Sequence, residues 1–322
     1  MPPPKRSLLN TSELSILEIE ALFDLADVFA ARGREHGPFY DASAGSAPPR
    51  GSRLVACLFF EPRTRKRLSF QTAAHRLGWG EIAIEAGANS SLIKGETLTD
   101  TVLNVAAMGP DLLVVRYGHS QELDWLLPTL STSVINAGSG VQAHPTQALL
   151  DAYTIRRERG QIKDERVLIA GDVAHSRVAR SNFELLPRLG AEVAMFGPQS
   201  FLPPSDHFPH VKRFTRLEEG LEWATVAMGL RIQLERHKAV ELDLQSFDDY
   251  HRKFGFSSAR LEKFRCDGIL MHPGPINHGV EFAADAGLDS RSRVLAQVTN
   301  GVLVRAALMS FVLEGSTPRT AA

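Results

Sequence analysis

A short apolar run, LVACLFF at residues 54–60, passes directly into the charged sequence EPRTRKR at residues 61–67. Because every side chain of the run is apolar, it predicts a strand buried on both faces, as in parallel sheets covered by helices. The charged sequence predicts a polar turn and then a helix, where free backbone N–H groups and the positive end of the helix dipole converge. The segment therefore predicts an anion site of the phosphate type, with a basic, solvated helix face as the alternative.

Similar strand-like runs alternate with helix-like segments along the rest of the chain. A helical pattern at residues 13–31 precedes the first strand. A strongly helical segment at residues 146–158 separates two series of strands, and the run RVLIAGD at residues 166–172 begins the second series. This alternation predicts an α/β protein of two domains, each a parallel β-sheet flanked by helices. The other predicted strands are 81–85, 112–115, 133–136, 192–196, 226–230 and 268–271.

Segments without a clear period are expected at three places. Residues 36–51 predict an exposed loop, residues 237–258 a polar insertion, and residues 315–322 a poorly ordered tail. The apolar helix pattern at residues 298–313 must pack on another element, and we expect it to pack back on the first domain. The predicted domains are residues 1–143, completed by 297–322, and residues 144–296.

Composition limits the classes of partner. The 322 residues include 36 Lys and Arg against 37 Asp and Glu, so no excess of positive charge favours nucleic acid or an anionic membrane. The N-terminal residues lack a signal-peptide pattern, and we expect no window of the roughly 20 apolar residues that cross a membrane. Only two cysteines are present, Cys57 and Cys266, which lie far apart in sequence and lack metal-ligand spacing, so we expect a reducing, cytoplasmic setting.

In the first domain, polar residues cluster where predicted strands or turns meet helices, which is where open α/β sheets bind ligands. Arg65 could pair with a phosphoryl oxygen in a bidentate manner, and Thr64 could donate a hydroxyl hydrogen bond. His144 taken alone is more often a structural histidine or a helix cap than a functional residue. The clusters of this domain are 63–67, 90–97, Arg116 and 144–147.

In the second domain, Arg177 and Arg231 follow predicted strand ends. Two such arginines would suit a dicarboxylate, because a guanidinium pairs with a planar carboxylate through two parallel hydrogen bonds. Surface ion pairing, with Glu184 and Glu235 as partners, is the alternative. The turn at residues 171–172 is not a complete G-x-G-x-x-G, so a dinucleotide site is not favoured. The clusters of this domain are 175–177, 231–236 and 272–275.

Taken in order, these clusters resemble the catalytic chains of the aspartate/ornithine carbamoyltransferase family along nearly the whole sequence. The turn HPTQ at residues 144–147, the LLD that follows at 149–151, and HPGP at 272–275 resemble the aspartate branch rather than the ornithine branch. The resemblance implies that the first predicted domain binds carbamoyl phosphate and the second binds aspartate. The matching segments are 59–78, 94–101, Arg116, 144–155, 171–182, 231–236, 272–275 and 297–305.

The resemblance also implies a reaction and an assembly. The carbamoyl group of carbamoyl phosphate would pass to the amine of L-aspartate, without metal or organic cofactor, in a homotrimer with sites at its subunit interfaces. A regulatory or dihydroorotase-like partner chain is left open. The implied carbamoyl-phosphate residues are Arg63, Thr64, Arg65, Lys66, Arg116, His144, Gln147, Pro273 and Gly274. The implied aspartate residues are Lys94, Arg177, Arg231 and Gln233. The implied catalytic residues are Arg65, Lys94, Arg116 and His144, and those lent across the interface are Lys94 and Ser91, or Ser90 in place of Ser91.

The chain departs from the family pattern inside the anion site. Arg63 and Lys66 stand where the family usually has Ser and Thr, and Tyr117 stands where it usually has His after the arginine. In one interpretation, Lys66 is a cationic donor and Arg63 adds phosphate affinity, which leaves an active enzyme. In another, two long side chains fill the space that carbamoyl phosphate needs, which leaves a non-catalytic homologue. A third alternative is a carbamoyltransferase that uses another amino acid.

Overall fold

The computed structural model describes residues 6–33, 37–39, 53–60, 64–85, 97–118, 122–140, 143–232, 247–283 and 289–314. The chain divides into two compact units, Met1–Leu150 with Thr299–Ala322, and Asp151–Val298. The described strands are β1 (Leu54–Phe59), β2 (Gly80–Glu85), β3 (Leu112–Tyr117), β4 (Ser133–Ser139), β5 (Arg166–Ala170), β6 (Glu192–Phe196), β7 (Lys212–Arg213), β8 (Val226–Gly229) and β9 (Ile269–Met271). The described helices are α1 (Ile16–Arg32), α2 (Thr64–Arg76), α3 (Leu98–Ala107), α4 (Glu122–Leu126), α5 (Pro145–Arg159), α6 (Arg177–Arg188), α7 (Leu217–Trp223), α8 (Phe247–Phe254), α9 (Ser258–Leu261) and α10 (Val294–Glu314).

The first unit is built on a parallel sheet whose described strands have the order β2-β1-β3-β4. The apolar run that predicts a doubly buried strand becomes β1, and Val55 to Phe59 are all buried. β1 pairs with β2 on one side and β3 on the other, so it is a central strand. Helices cover both faces of such parallel sheets, which is why side chains on both of its faces are apolar. The direction of the strand order therefore changes between β1 and β3.

The C-terminal helix α10 packs in the first unit, as the sequence predicts. Arg305 Nη1 donates to Ser69 Oγ at 2.8 Å, and its guanidinium lies over the ring of Phe70. Near the end of the helix, the Arg6 guanidinium lies 4.2 Å from the centroid of the Phe311 ring. By length and hydropathy α10 could cross a membrane, so the expectation that no such window exists was wrong. However, 67% of its apolar window is buried inside the protein, as in the core helix of a globular domain.

The second unit contains a parallel sheet in the order β7-β6-β5-β8-β9, counted over the described residues. Leu168 and Ala170 of β5 belong to a buried core with Phe196 of β6 and Leu270 of β9. The strand order changes direction between β5 and β8. Both sheets confirm the predicted fold class of two helix-flanked parallel sheets. The boundary between the two compact units lies between Leu150 and Asp151, inside α5.

Three segments differ from their sequence-based description. The second half of the predicted polar insertion is the helix α8, and its Tyr250 is buried. Within the predicted exposed loop, Phe39 is buried and stacks on Phe29 with ring centroids 4.9 Å apart. The two-residue strand β7 was missed because so short a strand has no period to detect. Residues 36 and 40–51 of that loop, the first half of the insertion and the C-terminal tail lie outside the described residues.

Candidate active site

The start of α2 follows the carboxyl end of β1, as the charged sequence predicts. β1 ends at Phe59 and α2 begins at Thr64. The Phe60 N–H donates to the carbonyl oxygen of Arg116 at 2.9 Å, which joins the ends of β1 and β3. Because the strand order reverses between these two strands, this edge is a topological switch point, where open α/β sheets bind ligands. The N-terminus of α2 adds backbone N–H donors and positive potential.

Arg116 on β3 is only 1% exposed although it is charged. Its Nη1 donates to the carbonyl oxygen of Ala137 at 3.2 Å. Gly138 leaves room for the guanidinium, since a Cβ there would lie 2.6 Å from Nη1, and its φ of +126° strains any other residue. Asn136 Oδ1 accepts the Gly138 N–H at 2.7 Å and holds this part of β4, where the register with β3 shifts. The backbone at Ala137 and Gly138 therefore holds the Arg116 guanidinium in place.

His144 is fully buried immediately before α5, and its carbonyl oxygen accepts the Gln147 N–H at 3.0 Å. The Lys66 ammonium contacts His144 Nε2. An ammonium only donates, so Nε2 is the acceptor in this contact. A Cβ at Gly138 would lie 3.5 Å from the edge of the same ring. The structure thus gathers Lys66, Arg116 and His144 around Gly138, with Gln147 buried in the first turn of α5.

The electrostatics of this cluster favour an anion. Lys66 and Arg116 are both cationic and both lie near the His144 ring, and α2 and α5 begin after the carboxyl ends of β1 and β4. Like charges repel strongly where water is excluded, so a phosphate or a developing oxyanion at this point lowers the electrostatic free energy. The cluster is therefore suited to bind an anion and to stabilise charge that builds on a substrate oxygen.

Two nearby residues belong to the core rather than to the chemistry. Tyr117 is 2% exposed and packs in the apolar cluster that includes Leu123 and Leu126. Its replacement of the family's usual His is therefore a packing difference. Burial raises the pKa of the Cys57 thiol to about 12, so this cysteine stays protonated and is a poor nucleophile.

In the second unit, the segments that follow β5 and β8 come together at the second switch point. The Leu230 N–H donates to the carbonyl oxygen of Ala170 at 2.7 Å. Gly171 has a φ of +129°, and a Cβ there would lie 3.0 Å from the carbonyl oxygen of Leu230. Only glycine allows the two segments to approach so closely. Arg177 and Arg231 follow these two segments along the chain.

Arg177 is the first residue of α6 and is 9% exposed. Ser176 caps the helix, because its Oγ accepts the Ala179 N–H at 3.1 Å. The preceding turn is held by buried Asp172, whose Oδ1 accepts the His175 N–H and lies 2.8 Å from His175 Nδ1. The guanidinium of Arg177 is therefore presented from a capped helix start and a hydrogen-bonded turn.

Burial of Arg177 argues against the surface ion-pair alternative. Burial raises the pKa of the Glu184 carboxyl, while the charges of Arg180 and Arg188 oppose that rise. The electrostatic neighbours of Glu184 are thus other arginines of α6. The second suggested partner, Glu235, lies outside the described residues.

The segment that carries Arg231 is held by Glu281. Glu281 Oε1 accepts the Ile232 N–H at 2.6 Å, and Oε2 accepts the Asn277 N–H at 2.7 Å. Asn277 Nδ2 in turn donates to the Ile232 carbonyl oxygen at 3.2 Å. Burial raises the pKa of Glu281, and the hydrogen bonds to its carboxylate oppose that rise. Ile232 also packs with Tyr250 of α8, so Arg231 extends from a rigid support.

The turn at Pro273 and Gly274 is organised by a buried histidine. His272 is 1% exposed, and its Nδ1 accepts the Gly274 N–H at 2.8 Å. Its ring lies edge-on to Phe282, with centroids 5.7 Å apart. Gly229 at the end of β8 makes room for both rings, since a Cβ there would lie 2.4 Å from Phe282 and 3.3 Å from His272.

Other predicted site residues lie outside the described part of the chain. They are Arg63, Ser90, Ser91, Lys94 and Gln233, together with the side chains of Thr64 and Arg65. Sequence reasoning missed the supporting roles of Glu281 and Asp172. Neither has a distinctive spacing, and only the contact of Asp172 with His175, three residues away, could have been suggested by local sequence. Among the described residues, no group of three or more His, Cys, Asp and Glu side chains could hold a metal ion.

Fold and site together define a class: an α/β protein of two parallel-sheet units, each with buried or half-buried cationic side chains at a switch point suited to small anions. Two family models match the chain. Residues 6–157 match "Aspartate/ornithine carbamoyltransferase, carbamoyl-P binding domain", and residues 163–312 match "Aspartate/ornithine carbamoyltransferase, Asp/Orn binding domain". The chain belongs to the aspartate/ornithine carbamoyltransferase family.

Individual relatives agree with this assignment. The aspartate carbamoyltransferase catalytic subunit of Rhodospirillum rubrum is 43% identical, over 97% of this chain and 94% of that protein. The subunit of the same name from Caldanaerobacter subterraneus is 42% identical, over 96% of this chain and 98% of that protein. Trypanosoma cruzi aspartate transcarbamoylase, solved with carbamoyl phosphate and aspartate, has a TM-score of 0.80 at 28% identity, covering 95% and 96% of the two chains. The M. jannaschii catalytic subunit has a TM-score of 0.81 at 26% identity, covering 96% and 98%.

Proposed function

We propose that this chain transfers the carbamoyl group of carbamoyl phosphate to the amine of L-aspartate, giving N-carbamoyl-L-aspartate and phosphate. The convergence of Lys66, Arg116 and His144 around Gly138 carries the proposal. A phosphorylated substrate with a polarised carbonyl is the kind of ligand that such a cluster stabilises. Relatives at 42–43% identity bear the name of this enzyme, which supports the same reaction here.

In the first unit, we assign the phosphoryl oxygens to the N-terminus of α2, with Arg63, Thr64 and Arg65. Arg116 and Lys66 would donate to the carbonyl oxygen of the carbamoyl group. His144 supports Lys66, because its Nε2 accepts from the ammonium and so orients the remaining ammonium hydrogens. The residues that would orient the carbamoyl nitrogen are Gln147, Pro273 and Gly274.

Arg177 and Arg231 of the second unit would pair with the two carboxylates of aspartate, assisted by Gln233 of the same unit and by Lys94 of a neighbouring subunit. The lone pair of the uncharged amine attacks the carbamoyl carbon, and negative charge builds on the carbonyl oxygen beside Arg116. The bond from carbon to the phosphate oxygen then breaks. The departing phosphate takes the proton of the amine, so the step balances without a further acid or base. Charge stabilisation and positioning supply the rate enhancement.

The assembly and the cellular role are also proposals. The resemblance supports a cytoplasmic homotrimer in which Ser91, or Ser90, and Lys94 serve a site of the neighbouring subunit. The reaction would place the chain in pyrimidine biosynthesis. These three residues lie outside the described part of the structure, so the family pattern is the support for their role.

The non-catalytic alternative depends on one observation, which is that Arg63 and Lys66 occupy the positions of smaller hydroxyl residues. Calorimetry with phosphate and carbamoyl phosphate separates the alternatives when turnover is absent. Heat of binding without turnover would indicate a binding homologue. An empty titration would leave a structural role.

The proposed function is tested by a steady-state assay for N-carbamoyl-L-aspartate with wild-type chain and Arg231→Ala. We expect wild-type turnover, and a rise of about 10²-fold in the aspartate KM of Arg231→Ala, because truncation breaks a charge pair with the substrate. Arg213→Ala is the control, since Arg213 lies on β7 and donates to the Pro204 carbonyl oxygen. No turnover by a folded wild-type chain contradicts the proposal, and an unchanged KM for aspartate points to another amino acid.

A further inference from the structure

A chain of buried hydrogen bonds leads away from the turn at Gly274. The His272 N–H donates to Gln297 Oε1 at 2.8 Å, and Gln297 Nε2 donates to Asp151 Oδ1 at 2.8 Å. On the other side of the carboxylate, Asn182 Nδ2 donates to Asp151 Oδ2 at 3.0 Å. The four residues that these bonds join belong to the second unit, and each is at most 3% exposed.

The chemistry of Asp151 gives this chain of bonds a direction. An ionised carboxylate only accepts hydrogen bonds, so it requires the Nε2 side of the Gln297 amide to face it. The Oε1 side must then face away, toward the His272 N–H. A carboxylate thus selects one of the two orientations of the glutamine amide, and that orientation provides the acceptor for the backbone of His272.

The same bonds extend to both sides of the turn and to α6. His272 Nδ1 accepts the Gly274 N–H, so the residue held by Gln297 itself holds the turn. Asn182 lies on α6, whose first residue is Arg177, and it also donates to the Val178 carbonyl oxygen at 3.0 Å. One buried carboxylate therefore connects the turn at Gly274 with the helix that begins at Arg177.

We infer that Asp151 is a positioning residue, which sets the amide orientation of Gln297 and through it the place of the turn at His272 to Gly274. This inference rests on the proposed function, in which Gly274 orients the carbamoyl nitrogen. Asp151 does not touch substrate in this role. It acts through Gln297, as residues behind a binding site do when they lock the geometry of the groups in front.

The test reverses donor and acceptor in the hydrogen bond between residues 151 and 297. In Asp151→Asn, the new amide offers one acceptor and one donor to two donors, Gln297 Nε2 and Asn182 Nδ2. If its Nδ2 faces Gln297, Gln297 either loses this bond or turns and loses its bond to the His272 N–H; if its Nδ2 faces Asn182, the bond to α6 is lost. In the double variant Asp151→Asn with Gln297→Glu, the introduced asparagine donates to the introduced glutamate, whose second oxygen again accepts the His272 N–H. We expect kcat with saturating aspartate to fall about tenfold in Asp151→Asn and to recover in the double variant.

Amide hydrogen exchange gives a readout that does not depend on activity. We expect exchange at His272 and Gly274 to accelerate about tenfold in Asp151→Asn and to return to the wild-type rate in the double variant. The matched control is Thr225→Val, which removes buried hydrogen bonds between Thr225 Oγ1 and the backbone of Arg166 at the amino ends of β5 and β8. It should lower the melting temperature without changing either readout.

Two outcomes overturn the inference. One is a double variant as impaired as Asp151→Asn, and the other is equal exchange at Gly274 in Asp151→Asn and the wild type. If Asp151→Asn does not fold, Gln297→Met removes the acceptor of the His272 N–H and should give the same accelerated exchange. Absence of turnover by the wild-type chain would reject the proposed function alone, because hydrogen exchange would still decide the role of Asp151.

Discussion

Lys66 shows how one substitution can keep a hydrogen-bond donor in a site while adding a positive charge. Where the family usually has a hydroxyl, this chain has an ammonium, and the ammonium contacts the ring of a fully buried histidine. That contact holds the long, flexible lysine side chain in place. A solvated lysine has no such contact. The buried surroundings of Arg116 and His144 favour a donor role for Lys66 over simple obstruction of the site.

Two variants of Lys66 separate these roles. Lys66→Met keeps the length of the side chain but removes its donors, and we expect kcat to fall by about 10²-fold, as on loss of one donor to a developing oxyanion. Lys66→Thr restores a hydroxyl donor, and kcat should stay within about tenfold of wild type. Steady-state kinetics with saturating substrates would measure both. A large gain of activity in Lys66→Thr would instead mean that the lysine obstructs the site.

At the scale of elements, turns and strand ends that pack beside the cationic residues fix their positions. Gly138 in β4 leaves room for Arg116, and the carboxylate of Glu281 fixes the segment of Arg231 after β8. The helix α8 contributes Tyr250 to the cluster around Ile232. An insertion that has a polar sequence thus supports the site through one buried face.

Glu281 makes a prediction about pH and stability. Burial raises its folded-state pKa above 4.5, so the carboxyl contributes stability that is fully present below pH 4.5 and is lost as pH rises through the folded-state value. In Glu281→Gln this slope of unfolding free energy should flatten, as measured by urea denaturation across that window. The aspartate KM should also rise several-fold, because the amide presents N–H groups to backbone donors. Glu262→Gln, at an exposed position, should change neither.

At the scale of the whole molecule, the two units have different sheets but place their candidate ligand residues in the same way. In each, the strand order reverses beside a central strand, and the candidate ligand residues follow the carboxyl ends of the strands at that reversal. The long apolar helix α10 returns the end of the chain to the first unit. This explains why a helix with membrane-like composition is mostly buried in protein.

The proposed trimer can be tested by mixing inactive variants. If Lys94 serves the site of a neighbour, equal mixing of Lys94→Ala with His144→Ala chains should regenerate one native site in each mixed trimer, about one quarter of wild-type activity. Subunits would be dissociated, mixed and reassembled before assay. Mixing Arg116→Ala with His144→Ala is the control, because both residues belong to one half-site and no native site can form. No recovery in the first mixture would contradict shared sites.

The sequence alone determined the fold class, because buried parallel strands need apolar side chains at every position and helices need a different period. It also determined the family, through ordered polar clusters such as residues 63–67 and 272–275. Tertiary structure alone decided which distant residues touch. Lys66 and His144 are 78 residues apart and Asp151 and Gln297 are 146 apart. Such contacts depend on strand order and on the shape of turns such as Gly138, and no local pattern records the hydrogen-bond direction that a buried carboxylate imposes on its neighbours.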